Sequence, residues 1–278
     1  MDNTLLERLP NFMMTLGLTE APMGIFYTDE KPANGFSPKS GNLPTREKEI
    51  KNEIDWQEVF SQFSCVMGNI WRARKKNTAA YFSSELFGCP GGAFWMGFNK
   101  PQVDTIINYV STGIPNQTDG ERYCDSPESL KRIFEFVDPR PAPESYCVVK
   151  PVEQFSKSEH PELVAFFTRP ESLAGLHQLA AYVTNDPEVV VSPWGAACGN
   201  VVAWPLHYLE KGRQKATLGG WDPSARKFFK TDELSFTIPY KMFKQMLERY
   251  ESSFLTTKTW QNVQRKIEMS KKKWGEVK

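Results

Sequence analysis

Histidine is scarce in this 278-residue chain, which has only His160, His177 and His207. Zinc chemistry built on histidine therefore has little to draw on. Cysteine comes as an odd set: Cys65, Cys89, Cys124, Cys147 and Cys198. Five thiols in so long a chain do not make a disulfide framework, and a reducing, cytoplasmic setting is the expectation. Net charge is nearly absent, at +1, so there is no broad basic footprint for nucleic acid. No apolar run approaches the ~20 residues of a membrane span. Asp2, Glu7 and Arg8 surround a short apolar segment at the start, with no small-residue cleavage site, so neither a signal peptide nor a membrane partner is expected. Neither GxGxxG nor Walker A occurs, and a nucleotide has no specific support.

What is present is ordinary globular composition, 40% hydrophobic and 24% charged, in a chain long enough for a substantial core. Apolar periodicity predicts helices over 4–18, 55–74, 101–114, 170–184, 240–252 and 256–273. A further helix starts at Ser126-Pro127-Glu128, with serine as cap and proline in the first turn. Runs rich in β-branched and aromatic residues predict strands over 22–27, 78–83, 146–150, 163–167, 188–191, 215–219 and 234–238. Residues 31–53 carry Pro32, Gly35, Pro38, Gly41 and Pro44 and read as a loop or lid. Pro205 is expected to kink or end a helix that begins near Gly199.

Two stretches organise the chain. Phe87-Gly88-Cys89-Pro90-Gly91-Gly92-Ala93 follows one strand, and Ser192-Pro193-Trp194-Gly195-Ala196-Ala197-Cys198-Gly199 follows another. Each places a cysteine where a strand turns into a helix. The dipole and free N–H groups of a helix start favour a thiolate there. Around them the order strand, helix, strand, cysteine turn, helix occurs twice. Gly24-Ile25-Phe26-Tyr27-Thr28 echoes Val164-Ala165-Phe166-Phe167-Thr168. The expected fold is therefore α/β: one compact unit over 1–278, with related strand–helix–strand–helix halves at about 19–138 and 145–212, packed face to face. A helical C-terminal cap covers about 213–278. Cys65 has no counterpart: the offset that separates it from Cys89 lands on Ala174 when counted back from Cys198. In the expected helix it shares a face with Ser61, Gly68, Asn69 and Arg72.

The chain resembles domain-of-unknown-function family 169, of bacteria and archaea, many of them anaerobes. The resemblance rests on Cys65 with Arg72 and Arg74, on both cysteine turns, and on Asp222-Pro223-Ser224-Ala225-Arg226. It continues through Leu234-Ser235-Phe236-Thr237-Ile238-Pro239-Tyr240 and Glu251-Ser252-Ser253-Phe254-Leu255. It implies a family but no activity, and whether the protein is an enzyme stays open.

Three chemistries remain. Cys65, Cys89 and Cys198 could be metal ligands. An all-thiol set of three suits a [4Fe–4S] cluster with one iron open to a small molecule or a redox role. Gly91, Gly92, Gly199 and Arg72 would then line the cofactor, the glycines by admitting it close to the backbone. Alternatively Cys89 or Cys198 is a metal-free nucleophile or redox thiol, with His177 or His207 as base. The third reading is a small-molecule-binding protein, its anionic ligand held by Gly91-Gly92 and by Arg72, Arg74 and Arg226. Cysteine is also commonly buried as a small apolar group, with no chemistry at all.

Overall fold

The strands of this chain are apolar on both faces, and a strand of that kind needs cover on both sides. The computed structural model describes residues 3–39, 41–42, 44–45, 47–48, 51, 53–98 and 104–275. Seven strands form one sheet: β1 (Met23–Thr28), β2 (Ala80–Phe82), β3 (Tyr146–Pro151), β4 (Leu163–Thr168), β5 (Val190–Val191), β6 (Ala216–Gly219) and β7 (Leu234–Pro239). Their order across the sheet is β2-β3-β1-β4-β7-β6-β5. All neighbours are antiparallel except the parallel pair β5–β6.

Alternation along the strands feeds two cores. On one face Val164, Phe166, Phe236 and Ile238 meet α1 (Asn3–Leu16) through Phe12. The helices α7 (Pro170–Thr184) and α9 (Tyr240–Arg249) complete that layer with Leu176, Leu179, Met242 and Phe243. On the other face Met23, Ile25, Val149, Leu163 and Ala165 pack under α3 (Val66–Lys76), α4 (Pro90–Trp95) and a helix that runs from Ala197 to Glu210. The remaining helices are α2 (Trp56–Ser61), α5 (Asp104–Val110), α6 (Pro127–Val137), α8 (Trp204–Glu210, the end of the 197–210 helix) and α10 (Lys258–Trp274). Among the described residues no helix is long and apolar enough to cross a membrane.

Three expectations meet a different structure. The helix expected over 55–74 is two helices. Asp55 caps α2 by accepting from the Glu58 N–H at 3.0 Å. The chain then leaves helical geometry, and the Ser64 N–H donates to the Gly88 carbonyl at 3.1 Å. Cys65 becomes the N-cap of α3 rather than a mid-helix residue. Second, the expected halves do not pack face to face. Their strands interleave in the one sheet: β3, of the expected second half, lies between β2 and β1 of the first, and β1 also pairs with β4, so that the echoed residues Gly24 and Val164 are register partners. The linking helices α3 and α7 lie on opposite faces of the sheet. Third, Pro205 does not end its helix. Gly199–Ala203 is a π-helical turn, in which the Trp204 N–H reaches the Gly199 carbonyl. Proline lacks the N–H that would serve the next carbonyl, Asn200. The Thr217 hydroxyl, from β6, donates to that carbonyl instead at 2.6 Å. The 31–53 segment, expected as a loop or lid, is largely loop over its described residues and is tied to β2 at Phe36. The Phe36 N–H donates to Ala79, and Phe36 accepts from Tyr81. The expected helix start at 101–103 lies outside the described residues.

One buried ion pair ties the thiol-side helices to the sheet. Arg74 on α3 reaches Glu233 at 2.6 Å and Glu20 at 2.7 Å. The Arg74 and Glu233 side chains are each only 3% exposed. Removing the arginine strands Glu233 as an uncompensated buried charge. Arg74→Ala is therefore expected to lose about 3–5 kcal/mol of stability, read as a shifted urea midpoint by circular dichroism. A loss below about 1 kcal/mol, the range of an exposed pair, would contradict this burial.

Candidate functional site

Three helix starts meet on one side of the sheet, and each carries a cysteine. Cys65 caps α3 in extended geometry without a side-chain cap hydrogen bond, its thiol lying near the N–H groups of Met67 and Gly68. Cys89 caps α4, accepting from the Gly92 N–H at 3.3 Å, with the Val66 N–H at the start of α3 near its thiol. Cys198 sits in the first turn of the 197–210 helix. The turns fit together through missing side chains. Gly88 has φ +80°, and a Cβ there would stand 2.7 Å from the Ser64 carbonyl oxygen. A Cβ on Gly92 would meet Val66 at 2.3 Å, and one on Gly199 would meet the Trp95 ring at 2.8 Å.

Cys65, Cys89 and Cys198 all line a single cavity of about 350 Å³. Cys124 and Cys147 do not: Cys147 is a fully buried β3 residue of the core beneath, and Cys124 lies in the loop before α6. Of the glycines, Gly91 and Gly92 line the cavity, and Gly91 has open space where a side chain would stand. Gly199 is covered by Trp95. Arg72 is exposed and stacks on Phe36 at 4.4 Å, away from the cavity. Arg74 is spent on Glu20 and Glu233, and Arg226 on the carbonyls of Gly220, Lys230, Thr231 and Glu233. The positive charge expected of these three is thus directed elsewhere, and Lys227 is the cation in the lining.

The thiols are not the thiolates expected of helix starts. Burial pushes Cys89 up to about 12, with neighbouring Cys65 adding to the rise. Cys198 is driven well above the usual thiol range by burial, then by Cys89 and Cys65. Burial also raises Cys65, against the pull of the Gly68 and Met67 N–H groups. Desolvation outweighs the helix dipole here. No histidine lines the cavity. His207 bonds the Val137 carbonyl at 2.8 Å and Lys211 at 3.0 Å, and His177 is exposed on α7 across the sheet. A thiol nucleophile therefore lacks the histidine base expected for it.

The opposite wall holds groups that the sequence reading missed. Glu121 and Tyr123 are placed by their own backbone: the Glu121 N–H donates to Tyr109 at 2.8 Å and the Tyr123 N–H to Val110 at 2.9 Å. Asp222 Oδ1 accepts from the Tyr123 hydroxyl at 3.0 Å and from the Ser224 N–H and hydroxyl at 3.0 and 2.8 Å. Its other oxygen accepts from the Ala197 N–H at 3.4 Å, next to Cys198. Burial and the charge of Asp222 raise the Glu121 carboxyl to about 7, against a contact with Ser224. For Asp222 the signal was present, since 222–226 is a recognisable motif. For Glu121 and Tyr123, between two expected helices, it was not.

The fold and cavity define a class: an α/β protein with one mixed sheet, whose converging helix starts bring one buried and two half-buried thiols to an aromatic-walled pocket. A family model described as DUF169, uncharacterised ArCR, matches residues 11–249, and the chain belongs to that family. No curated protein and no solved structure matches it.

The raised Glu121 carboxyl gives a pH signature with a definite sign. The folded state holds a proton that the unfolded chain releases near 4.5, so this group lowers stability as pH rises from there to about 7. Glutamine cannot ionise. Glu121→Gln is expected to gain stability relative to the parent between about pH 5 and pH 8, by up to about 3 kcal/mol. Paired urea titrations at the two pH values measure it, and a pH-independent difference would contradict it.

Proposed function

We propose that Cys65, Cys89 and Cys198 hold a [4Fe–4S] cluster, with one iron left open to a small molecule in the cavity. The observation that carries this reading is the convergence of three thiols, buried or half-buried, on one cavity with no histidine beside them. The donor set is all sulfur, as iron–sulfur sites require. A single metal ion is a poorer fit. It would need every ligand within roughly 2.3 Å of one point, and among the described residues no group of three or more His, Cys, Asp or Glu side chains is arranged to hold a metal ion. In a cluster each thiolate binds a different iron, so the sulfurs stand wider, about 6–7 Å apart if the same bond length holds. The open space at Gly91 adds room on the Cys89 side.

When bound, such a cluster supplies electron transfer or a Lewis-acidic iron. The chain's own part follows from the contacts described above. The N–H groups at Val66, Met67, Gly68 and Gly92 that face the Cys65 and Cys89 thiols would stabilise thiolates there and tune the potential. Loading would release the thiol protons, so metal uptake should be favoured by rising pH. Trp95, Phe134, Phe60 and Tyr109 keep bulk water from the cavity. A reducing cytoplasm is the setting proposed for this chemistry.

Protein purified without oxygen is expected to absorb broadly near about 400 nm and to carry about four irons per chain. Cys65→Ala, Cys89→Ala and Cys198→Ala should each lose the iron, whereas Cys124→Ala and Cys147→Ala keep it. Protein that stays colourless and iron-free after anaerobic reconstitution overturns the cluster and leaves a small-molecule-binding protein.

A further inference from the structure

The cavity that carries the thiols has a second property, its charge and the shape of its walls. Phe60 and Tyr109 lie in the lining with ring centroids 4.1 Å apart and planes inclined by 35°. Phe134 and Trp95 stand nearly perpendicular at 5.7 Å. Faces and edges of this kind suit a flat molecule. Among the described residues the polar part of the lining is unequal in sign: it offers the carboxyls of Glu121 and Asp222 against the ammonium of Lys227. The arginines that could have reversed the balance point elsewhere.

The two carboxyls are also unequal in their partners. Asp222 is engaged by Tyr123, by both donors of Ser224 and by the Ala197 N–H. Among the described residues the Glu121 carboxyl accepts no hydrogen bond; its neighbour Ser224 donates to Asp222. Glu121 is therefore the acceptor with capacity to spare, on the wall of an otherwise largely apolar cavity. A half-buried acceptor without a full set of donors selects for a ligand that brings them.

We infer that the occupant of this cavity is a small planar molecule, cationic or neutral, that presents N–H donors to Glu121, and that anions are rejected. The inference deepens the reading of the cavity as the place where a small molecule meets the thiol-bound group, and it depends on the cavity rather than on the iron. It is opposite in sign to the anion site expected from Gly91-Gly92.

Benzamidine and benzoate have nearly the same shape and opposite charge, so they serve as probes, with benzamide as the neutral member. Calorimetric titration of the full chain at about pH 8, with the tryptophan fluorescence of Trp95 and Trp194 as a second readout, gives three affinities. Benzamidine is expected to bind at least about tenfold more tightly than benzoate, with benzamide between them. Glu121→Gln should cut benzamidine binding by about tenfold and narrow the ratio. Lys227→Gln should widen the ratio, and it keeps the test decisive if the Glu121 variant does not fold. Equal or tighter benzoate binding, or no binding of any probe, overturns the inference. Iron is measured on the same samples. Iron-loaded protein that fails to discriminate sinks only this inference, and iron-free protein that discriminates sinks only the cluster.

Discussion

Close approach of three helix starts is the constraint on which the rest of the site depends. The Cys65 and Cys89 turns are joined by the backbone bond from Ser64 to Gly88, and that bond exists because Gly88 can take a positive φ with no Cβ in the way. Gly92 then lets α4 lie against Val66, and Gly199 lets the Trp95 ring close on the 197–210 helix. Each contact is steric, with separations that no larger residue tolerates. Together they turn three separate caps into one wall of a cavity. The π-helical turn belongs to the same arrangement. It sets the start of the 197–210 helix against α4, and Thr217 accounts for the carbonyl that Pro205 cannot serve.

Electrostatics follows from that packing. A thiol at an isolated helix start is pulled toward ionisation by the dipole. Here the same helix starts are driven together and dried, and desolvation prevails, with each thiol making its neighbour harder to ionise. The cavity is thus poised between states. Its thiols are neutral without a cation, and N–H donors already face Cys65 and Cys89 to receive the charge that a cation would induce. The acidic wall repeats this asymmetry at smaller scale. Asp222 is held by four donors, while Glu121, desolvated beside it, holds its proton up to about neutral pH.

Much of the fold was legible in the sequence because its strands are buried on both faces. Each of the seven strands is a short run of apolar and β-branched residues, and each was located within a residue or two of its bounds. Helix α7 was read to the residue, from Pro170 to Thr184, since proline opens it and Asn185, in left-handed geometry, closes it. The break at 62–65 was not legible. The apolar stripe through Trp56, Phe60, Met67 and Ile70 keeps helical spacing across it, and what ends α2 is a hydrogen bond to a residue far along the chain. The opposite placement of α3 and α7 was equally hidden, because an echo in strands says nothing about the face on which a linking helix docks.

By itself the sequence determined the local pieces: which segments are strand and helix, that cysteines stand at strand-to-helix turns, and which family the chain belongs to. Those follow from periodicity, capping chemistry and short motifs, all of which act over a few residues. Tertiary structure alone decided that Cys65 is a cap, that it shares a cavity with Cys89 and Cys198, that the nearby arginines turn away, and that Glu121 faces the thiols. These depend on contacts between residues far apart in the chain, set by the volume of a missing Cβ or by the partner that claims a charge first, and no local pattern records them.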